Sequence, residues 1–290
     1  MEFNFKIKLL LFVALVSISS SSIIVKYLTN IDAIPIAFAR MAIAGIILWF
    51  FSIIKPQGTL SNKTRLLTLI SGIFLGIHFA FFFSAVKMTS LANATLFGTL
   101  APIFTVSLNY LFFNIKINPK ILVGIIITII GGVTMYGFEV KLNSDGFKGD
   151  IFAVICSFWM ALVLIITKNI RNNYDTIIYS RMLYISAALT LLSIILIMDI
   201  PIRKPNTQET IFLLLLGFIP NILGHSMLYY AIRFLPSHTI ASIPLGEPII
   251  VSIFGLILFQ EIVPFSVLFG GGIILIGLYL ILKNSESDKN

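Results

Sequence analysis

Residues 78–113, HFAFFFSAVKMTSLANATLFGTLAPIFTVSLNYLFF, lie without a gap over residues 224–259, GHSMLYYAIRFLPSHTIASIPLGEPIIVSIFGLILF, at an offset of 146. Ala85 falls on Ala231, Pro102 on Pro248 and Phe113 on Phe259. The register continues to Thr134 over Leu280, with Gly124 on Gly270 and Gly131 on Gly277. Upstream, Arg40-Met41 matches Arg181-Met182 at an offset of 141, so the copies differ by a few loop residues. Each copy holds about five apolar segments long enough to cross a bilayer. An odd number of crossings turns the second copy upside down in the membrane.

Composition sets the solvent. Hydrophobic residues make up 58% of the chain and charged residues 11%, against roughly 25% charged in a soluble domain. Hydropathy and helix breakers together predict ten spans, at 8–28, 34–54, 66–86, 93–113, 120–138, 150–168, 176–198, 210–232, 238–259 and 265–282. The expected fold is an all-α membrane protein whose ten transmembrane helices form two inverted five-helix repeats. The first repeat is 1–138, a loop 139–149 joins it to the second at 150–282, and 283–290 is a cytoplasmic tail. Spans and turns use up the 290 residues, which leaves no room for a separate soluble catalytic domain.

Charge orients the bundle. With the N-terminus inside, the inner side receives Lys6, Lys8, Lys55, Lys63, Arg65, Lys116, Lys120, Lys168, Arg171, Arg233, Lys283 and Lys289. The outer side receives Lys26, Lys87, Lys141, Lys148, Arg203 and Lys204. Twelve basic residues against six predict both termini in the cytoplasm; the expected location of this multi-pass protein is the inner membrane. The net charge of +8 is then a topology signal, with no basic patch or fold motif for nucleic acid. Lys6 and Lys8 precede a long apolar run that passes through serines without a small-x-small cleavage site, so it reads as a first span rather than a secretory signal. Cys156 is the single cysteine; it excludes an intrachain disulfide and reads as an apolar filler of the sixth span.

The chain resembles the EamA-type members of the drug/metabolite transporter superfamily. The resemblance rests on Gly149-Asp150 opening the second repeat, Trp159 in the span that follows, and Leu245-Gly246-Glu247-Pro248 with Phe259-Gln260-Glu261 downstream. The first repeat departs from it: Ala101-Pro102 stands where the second has Glu247-Pro248, and Asn114-Ile115-Lys116 replaces the terminal acid. The resemblance implies export or exchange of small metabolites, often amino acids, without ATP.

The residues point to a solute pathway on their own chemistry. An ionisable group at mid-helix costs about 2.5 to 3.5 kcal/mol on insertion scales and calls for a partner, a wet cavity or a function. Glu247 lies about ten residues inside the ninth span. It reads either as a carboxylate that binds a substrate ammonium or carries a coupling proton, or as a structural acceptor for backbone freed by Pro244 and Pro248. Arg40 and Arg181, at equivalent places in the second and seventh spans, suit a pair of carboxylate sites on opposite faces, or two snorkelling cations. Thr95, Thr99 and Pro102 share a helical face, with Asn109 further along; Asn221, His225 and Tyr229 form a similar stripe. Phe82, Trp159 and Tyr230 are candidate aromatic walls. The bland alternative for these stripes is interhelical hydrogen bonding, and for His78 and His225 it is the stronger reading. Kinks are expected at Pro102, Pro220, Pro244 and Pro248.

Candidate substrate-binding residues are therefore Arg40, Trp159, Arg181, Asn221, His225, Tyr229 and Glu247, with Glu247 the candidate for proton coupling. Gly124, Gly131, Gly270 and Gly277 let the fifth and tenth spans pack on each other or mediate a homodimer, and Gly72 with Gly76 gives the third span a small face. The expected partners are a small-molecule solute and the lipid bilayer, without cofactor or metal. The leading reading is a secondary transporter of a small metabolite, an amino acid as best candidate, working by alternating access as an exporter. The alternative is a membrane receptor or assembly factor that keeps a transporter fold without flux. An enzyme is disfavoured because the chain has no His-Glu-x-x-His, Gly-x-Ser-x-Gly or phosphate-binding Gly-rich loop.

Overall fold

The computed structural model of the chain describes residues 2–136, 145–260 and 265–285. Lys141, Glu261, Lys289, the 139–144 part of the joining loop and the 286–290 part of the tail lie outside the described residues. The elements are α1 Glu2–Val25, α2 Ala33–Ile54, α3 Asn62–Met88, α4 Leu91–Gly98, α5 Ala101–Phe113, α6 Pro119–Tyr136, α7 Asp145–Arg171, α8 Thr176–Ile197, α9 Thr207–Leu216, a π-helical segment Gly217–His225, α10 Ser226–Ala231, α11 Ser237–Ser242, a 3₁₀ turn Ile243–Gly246, α12 Glu247–Phe259 and α13 Phe265–Ser285. Among the described residues nine helices are long and apolar enough to cross a membrane, and a tenth apolar helix, Pro119–Met135, is shorter. The fold is an all-α membrane protein of ten transmembrane helices in two five-helix repeats.

Polar residues in the turns start several of these helices. Ser61 Oγ accepts from Thr64 N ahead of α3, Ser90 Oγ from Asn93 N ahead of α4, and Asp175 Oδ1 from Ile177 N ahead of α8. Asn206 and Glu209 close a reciprocal capping box at α9, and Glu209 is also paired with Arg203. These bonds satisfy N–H groups that the first turn of a helix leaves without intrahelical partners.

Packing follows the pseudo-twofold. The second and seventh spans, α2 and α8, lie against each other, as do the fifth and tenth, α6 and α13. The third span α3 packs on the sixth, α7, and its counterpart, the eighth span, packs through the π segment on α1. The contact between α6 and α13 is close because it is made through glycine: a Cβ on Gly270 would stand 2.6 Å from Gly131 O, and one on Gly131 would stand 2.8 Å from Gly270 O. The small face of α3 is used in the same way, with Gly72 against Ser186 of α8.

Three spans are interrupted, each at the prolines where kinks are expected. The fourth span breaks at Thr99-Leu100, whose backbone sits near ψ 10° and 6°, and resumes with Pro102 in the first turn of α5. The ninth breaks at the equivalent place, through the 3₁₀ turn with Pro244, and resumes with Pro248 in the first turn of α12. Proline fits a helix start, where its missing N–H costs nothing. In the eighth span Pro220 stands inside the helix. There the backbone widens into π geometry, and the N–H of Ser226 bonds to Asn221 O, five residues back.

Candidate functional site

Both repeats contribute to a cavity in the middle of the bundle. Ile18, Ser21, Arg40, His78, Phe79, Phe82, Gly98, Thr99 and Ala101 line it from the first repeat, and Met160, Leu164, His225, Leu228, Ile240, Ala241, Pro244 and Glu247 from the second. Its volume, taken over the centres of water-sized spheres, is about 60 Å³. That is room for a few waters, at ~10–15 Å³ each on this measure, or for part of one small solute. The walls are mostly apolar, so the few polar groups that reach it decide what it can hold.

Arg40 is the anchor of the site. It is 1% exposed, its Nε donates to Asn221 Oδ1, and its Nη1 donates to Ser21 Oγ at 3.0 Å. The guanidinium lies over the Phe79 ring with its carbon 4.3 Å from the ring centroid, a cation–π contact that offsets lost hydration. Asn221 also donates from Nδ2 to Arg40 O at 3.0 Å, so one amide holds both the side chain and the backbone of Arg40. The π segment positions that amide. Tyr184 Oη, which donates to Asn221 O at 3.0 Å, fixes it from behind. Nη2 of Arg40 is buried without a hydrogen-bond partner.

Glu247 stands at the first residue of α12, in the wall of the same cavity. A helix N-terminus carries a partial positive charge that favours a carboxylate. Ser22 Oγ donates to its Oε1 at 3.0 Å, so its partner is a side chain of α1. Among the described residues no ion pair within 4.0 Å joins Arg40 to Glu247. Consecutive residues on a helix point about 100° apart, and the neighbours Ser21 and Ser22 bond the cation and the anion separately.

Two histidines complete the polar wall. His78 Nδ1 faces Cys156 O at 2.8 Å; a carbonyl only accepts, so this nitrogen carries the proton and Nε2 is the acceptor in the neutral ring. His225 packs edge-on against Phe79, and its Nδ1 is buried without a partner. Among the described residues no three His, Cys, Asp or Glu side chains converge as a metal site.

The structure thus brings Arg40, His225 and Glu247 to one cavity, with Asn221 bonded to Arg40 just behind the wall. Tyr229 is one layer further back, packed edge-on against Tyr179, with its hydroxyl unpartnered. Trp159 is not in this wall: it packs between Phe74 and Phe158, at ring separations of 5.2 and 5.7 Å. Arg181 is not in it either; its guanidinium lies 4.6 Å from the ring centroid of Trp49, which is 44% exposed on the outside of the bundle. Of the expected aromatic walls Phe82 lines the cavity, joined by Phe79, whereas Tyr230 faces outward. Thr99 reaches the cavity, while Asn109, from the same stripe, donates to Ser237 Oγ at 3.1 Å. Ser21 and Ser22 are site residues that the sequence reading passed over. Their signal is the run Ser19-Ser20-Ser21-Ser22 in the middle of an apolar span.

The family model described as "EamA-like transporter family" matches residues 5–137 and 147–283, one match to each repeat. An "Uncharacterized transporter" of Archaeoglobus fulgidus is 25% identical over 286 residues, 96% of this chain and 97% of its own length. Another of Helicobacter pylori is 28% identical over 189 residues, 63% of this chain and 62% of its own. A solved crystal structure superposes with a TM-score of 0.78 over 95% of this chain and 98% of its own, at 16% identity. The last shows a shared fold.

Proposed function

The chain belongs to the EamA-like transporter family, and on that premise we propose that it is a secondary transporter carrying a small zwitterionic metabolite, an amino acid, by alternating access around the central cavity. The observation that carries the reading is the pair Arg40 and Glu247, opposite charges that share one apolar cavity without forming an ion pair. A dipolar solute would satisfy both at once. Its carboxylate would accept from the spare Nη2 of Arg40, and its ammonium would donate to Glu247. The groups that would meet the two charges are already held by Asn221, Ser21 and Ser22, while the surrounding helices must move apart to admit the whole solute.

Glu247 also supplies a route to coupling. A carboxyl in an apolar wall either carries a proton or receives an ammonium, and the two compete for the same oxygens. Loading the amino acid on one side therefore releases a proton there, and its discharge on the other lets the proton return, which is substrate–proton antiport. With both termini in the cytoplasm of an inner membrane, an inward proton gradient would drive export. The two packings of the repeats need differ only in which face opens, and solute or proton shifts the balance between them.

Counterflow in proteoliposomes tests the proposal. Vesicles preloaded with a mixture of amino acids and other metabolites are challenged with labelled candidates. Accumulation of labelled amino acids is the expected outcome. Absence of exchange across a broad panel, with protein shown to be folded, would overturn it in favour of a receptor that keeps the fold without flux.

A further inference from the structure

A second cavity lies between α2, α8 and the π segment, separate from the central one. Its volume on the same measure is about 320 Å³, and it is lined by Ile47, Leu48 and Phe51 of α2, Thr176, Ile177 and Ser180 of α8, and Phe218, Ile222 and Ser226. Phe51 and Phe218 are 41% and 44% exposed, so the cavity reaches the lipid-facing surface of the bundle. None of its lining residues is charged.

Two of its hydroxyls stand out by what they lack. Serine and threonine inside a helix ordinarily bond the carbonyl four residues back, and Ser19, Thr68, Thr105, Thr128, Thr167 and Thr190 all do so here. Ser180 does not: its Oγ is buried with no partner. Thr176, on the same face, opens α8 and so has no helical carbonyl four residues back, and its Oγ1 is likewise buried with no partner. Residues four apart stack one turn, about 5–6 Å, along a helix. A buried polar group without a partner costs about 1–3 kcal/mol, so two in one apolar cavity call for a ligand that bonds them.

Ser226 narrows the chemistry. Tyr184 Oη lies 3.0 Å from Ser226 Oγ and donates its single proton to Asn221 O. The Ser226 hydroxyl must therefore donate to Tyr184, and it has only acceptor capacity left for the cavity. A ligand that satisfies this wall needs a donor as well as an acceptor and carries no charge, which describes a hydroxyl head on an apolar chain.

We infer that this lateral cavity binds a hydroxyl-headed, single-chain neutral lipid drawn from the bilayer, its head on Thr176, Ser180 and Ser226 and its chain leaving past Phe51 and Phe218. The site is joined to the transport cavity by the bonds Ser226 to Tyr184, Tyr184 to Asn221 and Asn221 to Arg40.

The test uses the full chain in lipid nanodiscs with two photoreactive probes, a long-chain primary alcohol bearing a mid-chain diazirine and the matching alkane. The alcohol is expected to label residues 47–51 and 218–226 about tenfold more than the alkane, a margin set by about two hydrogen bonds. In Thr176→Val/Ser180→Ala its labelling there falls to the alkane level. That double variant removes two unsatisfied hydroxyls and replaces them with groups of similar shape, so its melting temperature is at least that of the wild type. Equal labelling of the wild type by alcohol and alkane, or alcohol labelling that persists in the folded double variant, would overturn the inference.

Discussion

Asn114 and Gln260, 146 residues apart, end the fourth and ninth spans in the same left-handed backbone conformation, φ 50° ψ 27° and φ 54° ψ 32°. The repeat has kept a backbone turn while the side chain changed. Asparagine tolerates this region better than glutamine, whose Cβ meets the following carbonyl without a local bond in return. Gln260→Gly is therefore expected to stabilise the protein by about 0.5–1 kcal/mol, and Gln260→Val to destabilise it by a similar or larger amount. Thermal unfolding in detergent checks both, and a lower melting point for the glycine variant would contradict the argument.

Asn221 should be the most sensitive neutral residue of the site. It accepts from Arg40 Nε and donates to Arg40 O, while its own carbonyl receives Tyr184 Oη. Asn221→Leu removes the first two bonds and leaves a buried cation short of an acceptor. A loss on the order of 2–3 kcal/mol is expected, together with a large drop in flux. Asn221→Asp separates the two effects, since it restores the acceptor for Nε but brings a negative charge beside the guanidinium. That variant is expected to fold better than the leucine variant and still to bind solute poorly. Unfolding curves set beside counterflow rates decide the matter; equal stability of all three proteins would show that the amide is not structural.

Much of this arrangement was legible in the sequence. The matched glycines offered the fifth and tenth spans as a pair, and the prolines marked where the fourth, eighth and ninth would bend; the pairing of the second span with the seventh and of the third with the sixth had no such local signal. The geometry of each break was not legible: Pro102 and Pro248 open helices, while Pro220 stands in a π segment whose Asn221 O is bonded by Tyr184, a neighbour far away in the chain. Equivalent residues also parted company. Arg40 and Arg181 match in register, but Arg40 meets Asn221 and Phe79 in the interior whereas Arg181 sits over the exposed ring of Trp49. Serine in a transmembrane helix most often satisfies itself, as Ser17 and Ser19 do. Nothing local distinguishes those from Ser21 and Ser22, whose partners come from α2 and α12. Arg171, in sequence a topology charge, is 1% exposed and donates from Nε to Tyr229 O; counting basic residues by side says nothing of depth.

Glu247→Gln tests the coupling role directly. The amide keeps the size of the carboxyl and can still accept from Ser22 Oγ, so the helix start should survive. With no titrating oxygen left at this place, exchange of one substrate molecule for another can persist at reduced affinity, while uptake driven by a proton gradient should disappear. The wild-type rate is expected to vary with pH and the variant's to be flat. Gradient-driven, pH-dependent flux through Glu247→Gln would assign the proton to another group.

The close pair of α6 and α13 makes opposite predictions for two glycines two residues apart. A Cβ at Gly270 would stand 2.6 Å from Gly131 O and 2.6 Å from Met135 N, both backbone atoms that cannot swing aside. One at Gly272 would meet nothing within 4 Å. Gly270→Ala must therefore push the two helices apart, at a cost of about 1–3 kcal/mol. Gly272→Ala removes only backbone freedom from a helix interior and should leave stability unchanged or raise it by up to about 1 kcal/mol. Because α6 and α13 are the equivalent fifth and tenth spans, the same comparison reports on the pseudo-twofold contact itself. Gly131→Ala should reproduce the loss, since its Cβ would stand 2.8 Å from Gly270 O. Melting temperatures of the three variants provide the measurement, and a Gly270→Ala protein as stable as Gly272→Ala would show that the two helices do not approach at these glycines.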